Sequence, residues 1–307
     1  MKPHQLLASE LMKEQVVAIT GASGFIGQHL CRTLLEQAGE IHALSRSEPG
    51  ISDARLRWHQ VDLSDLEATR KAMTSIRADI VFHLCSYAQG ERDLSLVLPT
   101  FRNELQASVN LLTSVAENKV ERLIMIRSLE EPSPGEVPTS PYAAAKAASR
   151  AYARMFHQLY GVPVVMVRIF IAYGPGQSAK KIIPHLIGHM LRDEPLEIAS
   201  PERKVDWVYV DDVVQGLLAA AVTPGLEGKS IDIGSGEFVQ ISDVVHRIQR
   251  LIKTRSVMEF GKSPEGFVEQ VRCADTAAAR VLMGWSPSVS FDAGLVKTVE
   301  YYARATS

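Results

Sequence analysis

Val16-Val17-Ala18-Ile19-Thr20-Gly21-Ala22-Ser23-Gly24-Phe25-Ile26-Gly27 decides how this chain folds. Val16 to Ile19 form a short, mostly β-branched apolar run, the composition of a buried strand. Gly21, Gly24 and Gly27 follow, and the apolar residues after them (Phe25, Ile26, Leu30, Leu34, Leu35) then recur at helical spacing. A strand that runs through a glycine turn into a helix offers an anion free backbone N–H groups and the positive end of a helix dipole. Glycine also lets the backbone approach that anion closely. The flanking strand and helix distinguish this from an ordinary glycine turn and predict a site for the pyrophosphate of a dinucleotide.

The remaining composition is that of a globular protein. The 307 residues carry 33 Lys and Arg against 35 Asp and Glu, a net charge of −2, and 46% are hydrophobic. That balance gives no reason to expect a nucleic-acid partner, and no apolar run reaches the roughly 18 residues of a membrane span. Residues 1–15 mix Lys2, Glu10, Lys13 and Glu14 with a few leucines and lack the apolar core of a signal peptide, so a cytoplasmic protein is expected. Cys31, Cys85 and Cys273 lie far apart without metal-ligand spacing, so no metal is expected and the thiols read as reduced.

Outward from the glycine turn the chain alternates. Strands are predicted at Glu40–Ser45 and at 80–85, 123–126 and 162–170. Helices are predicted at 64–76, 94–120 and 140–160, the last stopped by Gly161. This alternation predicts an α/β fold with a doubly wound parallel sheet. After Tyr173-Gly174-Pro175-Gly176 the segments become shorter: helices at Ile182–Leu191, 212–222, 242–253 and 292–304, and a strand at 208–210. A smaller lobe is expected there, over the carboxyl edge of the sheet, where open α/β sheets take ligands. The predicted division is 1–170 with about 206–232 as the dinucleotide-binding domain, and about 171–205 with 233–307 as the smaller lobe.

Pro141-Tyr142-Ala143-Ala144-Ala145-Lys146 carries the second signal. Four residues apart on a helix, Tyr142 and Lys146 share a face. A free phenol, with a pKa of ~10, is a poor base at neutral pH. A neighbouring ammonium favours the phenolate, which suits proton exchange with a carbinol oxygen.

With these motifs in order, the chain resembles the extended short-chain dehydrogenases/reductases, and more narrowly their nucleotide-sugar epimerase/dehydratase/4-ketoreductase branch. The resemblance spans nearly the whole chain. It is carried by Thr20 to Gly27, Phe82-His83-Leu84, Tyr142-x-x-x-Lys146, Tyr173 to Gly176, Tyr209-Val210-Asp211-Asp212-Val213 and Leu282-Met283-Gly284-Trp285-Ser286-Pro287. It implies a Rossmann-type domain for a nicotinamide cofactor, a C-terminal α/β lobe for a nucleoside-diphosphate sugar, and a homodimer formed through the helices at 94–120 and 140–160. It implies Ser128 as the hydroxyl beside the substrate oxygen and places Glu130 where dehydratases and some 4-ketoreductases carry a glutamate. The residues alone leave Glu130 and Glu131 open between an active-site role and a solvated loop.

The end of the second strand bears on the cofactor. NAD sites of this type usually place a carboxylate there for the ribose hydroxyls. Here the strand ends Ser45-Arg46-Ser47, a guanidinium between two hydroxyls, which suits a 2′-phosphate. NADP(H) is therefore favoured, with NAD(H) possible. Gly21, Ser23, Gly24, Phe25, Ile26, Gly27, Asp62, Leu63, Leu84, Tyr142 and Lys146 complete the expected cofactor contacts. Because a net reductase needs fresh reductant, this points to NADPH-dependent reduction of a 4-keto sugar on a nucleoside diphosphate. A 4-epimerase or 4,6-dehydratase with tightly held NAD is the alternative.

The chain departs from the branch where relatives commonly touch the sugar diphosphate: Val205 precedes Asp206, Ile171 precedes Ala172-Tyr173, and Gly266-Phe267 replaces Arg-Pro. Lys180, Lys181, Arg203 and Arg272 remain as candidate diphosphate partners. Trp58, Trp207 and Trp285 read as packing residues, and His83 as a satisfied core histidine.

Overall fold

A computed structural model describes residues 12–47, 51, 53–133, 135–261 and 271–306. The Gly266-Phe267 departure and most of the 1–15 stretch lie outside them. The chain divides into two compact units, the first comprising Met1–Ile169, Val214–Ile231 and Ala278–Trp285, the second Phe170–Val213, Asp232–Ala277 and Ser286–Ser307.

The first unit contains the deciding stretch as β1 (Val16–Thr20) and α1 (Phe25–Leu35). There follow β2 (Glu40–Ser45), β3 (Leu56–Gln60), α2 (Leu66–Ile76) and β4 (Ile80–His83). A long helical region comes next: α3 (Val97–Thr100), a π-helical stretch Phe101–Gln106, and α4 (Ala107–Glu117). The unit continues with β5 (Arg122–Ser128), α5 (Pro141–Tyr160) and β6 (Val164–Ile169), and includes most of α7 (Val210–Val222). With β10 (Ser230–Ile233) the strands form a seven-stranded sheet in the order β10-β6-β5-β4-β1-β2-β3. The pairs from β3 through β6 run parallel, so the fold is the expected Rossmann-like α/β sheet.

Alternate residues of the central strands face one core. Ala18, Leu44, Val81, Leu123, Met125, Val164 and Met166 meet Met73 and Ile76 of α2, Leu111, Leu112 and Val115 of α4, and Ala153 and Phe156 of α5. On the sheet's other side α1 packs on β1 and β2. Strand order reverses at β1, and the carboxyl ends of β1 and β4, at Thr20 and His83, border the crevice where such sheets bind ligands.

The second unit contains β7 (Ile171–Tyr173), α6 (Ile182–Leu191), β8 (Leu196–Ile198), β9 (Lys204–Tyr209), β11 (Phe238–Gln240), α8 (Ile241–Ile252), β12 (Met258–Phe260) and α10 (Phe291–Thr306); α9 (Thr276–Met283) is shared between the units. Its strands form a three-stranded sheet, β11-β9-β7, and a two-stranded one, β12-β8. Asp206, 2% exposed, accepts N–H bonds from Ser235, Gly236 and Ala274, and Asp212 does the same for Ser288 and Val289. Both aspartates tie segments of this unit together. Trp207 and Trp285 are buried as expected of packing residues. Among the described residues no helix is long and apolar enough to cross a membrane.

Three expectations are corrected. The strand β3 was absent from the sequence reading, because an edge strand of Leu-Arg-Trp-His-Gln with only Leu56 buried has no apolar run. The region 94–120 is not one α-helix, since a 3-10 turn (Leu94–Leu96) and the π stretch precede α4. The segment 162–170 supplies only β6, and β7 belongs to a different sheet.

Candidate active site

At the carboxyl end of β1, Gly21 has φ +69°, and a Cβ there would lie 2.7 Å from the Cys85 nitrogen after β4. A Cβ on Gly27 would strike the Gly21 carbonyl oxygen and come within 2.8 Å of Ala22 Cα, so this glycine lets α1 pack onto the turn. Gly24 caps α1 without a side-chain bond, leaving the first amides of the helix for an anion. A cavity of about 570 Å³ opens here, lined by nine of the expected cofactor residues: Gly21, Ser23, Gly24, Ser45, Arg46, Ser47, Asp62, Leu63 and Leu84. Its wall also includes Cys85, Ser86 and Asn103. Phe25, Ile26, Gly27, Tyr142 and Lys146 are not part of this lining; Phe25 instead packs edge-on against His29, with ring centroids 5.5 Å apart.

The cradle fits a dinucleotide: α1 begins at its wall with no side-chain cap on its first amides, and serine hydroxyls gather in its lining. Ser23 Oγ lies 2.7 Å from Ser45 Oγ and 3.3 Å from Ser47 Oγ. The exposed Arg46 guanidinium donates to Asn103 Oδ1 at 2.5 Å. Asp62 accepts from the Ser64 N–H and hydroxyl and faces Arg102 at 3.5 Å. Those bonds and Arg102 hold its carboxyl below the usual range in spite of partial burial, which acts the other way.

Tyr142 and Lys146 lie in the first two turns of α5, which begins with Ser140 accepting from the Ala143 N–H at 3.1 Å and Pro141 at the first position. Both side chains are buried, and Lys146 Nζ sits 5.8 Å from the Tyr142 ring centroid. Ser86 and Ser128, the latter at the end of β5, both favour the ionised form of the Tyr142 phenol. Ser86 also lines the cavity. Lys146 Nζ donates to the Ile126 carbonyl oxygen at 3.2 Å.

The electrostatics differ from expectation. Lys146 does favour the Tyr142 phenolate, but burial outweighs it and Glu104 acts against it, so the phenol is pushed up rather than down. Glu104, 1% exposed and the only buried residue of the π stretch, places Oε1 2.7 Å from Lys146 Nζ. Burial of Lys146 favours its neutral form, but Glu104 and Tyr142 oppose this and keep it firmly protonated. Neither Glu104 nor Ser86 was picked out from sequence. The available signal was a carboxylate in step with Ala107, Ser108 and Leu111 on the buried side of an apolar helix.

Around Ser128 the two glutamates separate. Glu131 is fully buried, paired with Arg127 at 2.7 Å and Arg150 at 3.5 Å, and its Oε1 accepts the Ser128 N–H at 3.1 Å. It is not a solvated loop charge; its bonds hold the loop to Arg127 and Arg150. Glu130 is half-buried, its N–H donates to Ser128 Oγ at 3.1 Å, and its carboxylate stands beside Gly90. His83 is the satisfied core histidine expected, bonded to Thr20 and Ser108 and depressed to about 4 by burial, with the Lys146 charge adding to the effect.

The candidate diphosphate partners lie in the second unit. Lys180 and Lys181 are exposed ahead of α6, Arg203 is half-buried ahead of β9, and Arg272 is half-buried ahead of α9. Val205 is buried in β9, and Ile171 opens β7. Among the described residues no cluster of His, Cys, Asp and Glu could hold a metal ion.

Residues 17–234 match the sequence model of the NAD dependent epimerase/dehydratase family. A dTDP-glucose 4,6-dehydratase of Haemophilus influenzae is 28% identical, over 93% of this chain and 97% of its own length. An epimerase of Methanothermobacter thermautotrophicus has the same fold, with a TM-score of 0.89 at 23% identity, over 99% of this chain and 96% of its own. The UDP-glucuronic acid 4-epimerase of Bacillus cereus, solved with UDP-glucuronic acid and NAD, superposes with a TM-score of 0.84 at 25% identity, covering 94% of this chain and 99% of its own.

Proposed function

The chain belongs to the NAD dependent epimerase/dehydratase family, and from that premise we propose that it is a nicotinamide-dependent oxidoreductase of nucleoside-diphosphate sugars in which Tyr142 moves the proton. The observation that carries this reading is the buried Tyr142–Lys146 pair of α5, with Nζ 5.8 Å from the ring centroid, in the same unit as the glycine cradle. When bound, the nicotinamide exchanges hydride with the carbon that bears the reacting oxygen. Tyr142 gives its proton to that oxygen during reduction and takes it during oxidation. Ser128 hydrogen-bonds the same oxygen, and the Lys146 charge stabilises the oxyanion as it develops. Lys180, Lys181, Arg203 and Arg272 are the candidate partners of the diphosphate.

The reaction we favour is 4-epimerisation or 4,6-dehydration with a retained cofactor, the chemistry named for the relatives, in place of net 4-keto reduction. Dehydration needs a further proton-transfer group, and Glu130 is the candidate. The test is incubation with a panel of UDP- and dTDP-sugars and no added cofactor, with products separated by chromatography. An epimer or a 4-keto product is expected; conversion that requires stoichiometric NADPH would sink this reading.

Arg46 and the Ser23, Ser45 and Ser47 hydroxyls favour a second reading, net reduction by NADPH. On that reading Arg46→Ala weakens NADPH binding about 10-fold, the order of one charge-assisted hydrogen bond, and leaves NADH binding unchanged. Calorimetry with both nucleotides checks it, and equal effects on the two would remove the 2′-phosphate role.

The homodimer is likewise a proposal. Leu94, Leu98, Leu159 and Tyr160, on the two helical regions concerned, are 61–85% exposed, an apolar surface of the kind that marks an interface. A Leu98→Glu, Leu159→Glu variant should sediment as a monomer and the parent as a dimer; identical masses would contradict this.

A further inference from the structure

Glu104 belongs to no motif, yet it is the buried counter-ion of Lys146. Both side chains are almost fully buried, and Glu104 Oε1 lies 2.7 Å from Lys146 Nζ. The other carboxylate oxygen faces the cofactor cavity. Glu104 Oε2 accepts from the Ser86 hydroxyl at 2.8 Å and from the Tyr87 N–H at 3.0 Å. Ser86 lines the cavity, and so do Asn103 and Ala107 on either side of Glu104 in the chain. The carboxylate therefore stands one hydroxyl behind the cavity wall, whereas Lys146 is not part of that wall.

The fold fixes the carboxylate there. The π stretch Phe101–Gln106 widens the helix, a device that recurs at functional sites, and Glu104 alone of its six residues is buried. The Ser108 hydroxyl donates to the Glu104 carbonyl oxygen at 2.7 Å, and the buried chain Thr20–His83–Ser108 ties that turn to the ends of β1 and β4. The charged residues of the cavity wall itself, Arg46 and Asp62, belong to the segments after β2 and β3. After β4 the wall is Leu84, Cys85 and Ser86, and the ion pair behind it presents its acidic member.

A nicotinamide ring is a cation when oxidised and neutral when reduced. A carboxylate fixed behind its pocket stabilises the first form and leaves the second unchanged, and a site poor in water strengthens the effect. We propose that Glu104 is a positioning residue for the redox state of the bound nucleotide: by offsetting the Lys146 charge and facing the cavity through Ser86, it keeps the resting protein in the NAD+ form, ready to oxidise a sugar carbinol. The proposal rests on the reading of this site as one for a nicotinamide nucleotide, and it agrees with a cofactor that is retained and restored in each turnover.

The experiment measures the reduction potential of NAD bound to the purified holoprotein, from the absorbance of the reduced ring against mediator dyes of known potential. Glu104→Gln keeps the size of the side chain and an acceptor for Ser86 and the Tyr87 N–H, but removes the charge. It should shift the bound couple about tenfold toward NADH, the effect of one charge about 12 Å away at an effective dielectric of about 20, or about 30 mV for a two-electron couple. Glu104→Asp, shorter but charged, should stay close to the parent. A purely structural role predicts the reverse order, because Asp disturbs the packing more than Gln does. An unchanged potential in Glu104→Gln, or a shift toward NAD+, overturns the proposal. If that variant does not fold, the parent decides: it should hold NAD+ more tightly than NADH, and an equal or opposite order overturns the proposal. A parent that binds no nicotinamide nucleotide fails earlier and takes the functional reading with it, so the two failures are distinguishable.

Discussion

Tyr142→Phe is expected to reduce turnover about 100- to 10,000-fold, the range that one positioned proton-transfer group contributes. The ring should remain in place, because Tyr142 is only 8% exposed and packs within the first turn of α5, where the Ser140 cap and Pro141 are untouched. Cofactor affinity should therefore change little, and the loss should fall on kcat rather than KM. The nearby hydroxyls keep their own partners: Ser86 donates to Glu104, and Ser128 accepts the Glu130 N–H. Steady-state kinetics on any accepted sugar nucleotide checks this. Activity within a factor of a few of the parent would show that another group carries the proton.

Glu131→Ala is expected to be the most damaging change to stability. The carboxylate is fully buried, accepts from Arg127 Nε and Nη2 and from the Ser128 N–H, and pairs with Arg150 at 3.5 Å. Removing it leaves the Arg127 guanidinium, 9% exposed, without its main counter-ion. Breaking a buried pair from one side costs about 3–5 kcal/mol, which for a protein of this size corresponds to roughly 10 °C in Tm. The Ser128 N–H also loses its acceptor, so the hydroxyl at the reacting oxygen loses its support and kcat should fall as well. Thermal unfolding measures the first effect; a Tm within about 2 °C of the parent would mean that solvent reaches Arg127 and the pair contributes little.

The parts of the fold visible in the sequence are those written in local pattern. The run from Val16, the glycines and the spacing of Leu30, Leu34 and Leu35 specify β1, the turn and α1 without help from distant residues. Ser140-Pro141 and Gly161 likewise bound α5. What was not visible depends on contacts distant in sequence. The strand β3 exists because Leu56–Gln60 pair with β2, not because their side chains alternate clearly. Glu104 looks like a surface charge until the fold brings it to Lys146, 42 residues further along the chain. The direction of the Tyr142 shift is hidden in the sequence for the same reason. Lys146 was evident four residues along the helix, but the burial and the opposing carboxylate that outweigh it were not. Glu131 could not be told from a loop charge before Arg127 and Arg150 were seen to enclose it.

The measurement that tests the account most directly is to denature freshly purified protein and identify the nucleotide it releases. NAD(H) is expected, near one per chain, retained through purification because a cofactor restored within each turnover need not leave. Release of no nucleotide, together with exchangeable binding that favours NADPH over NADH, would contradict the retained-cofactor reading and make Arg46 and its serines the clamp of a net reductase.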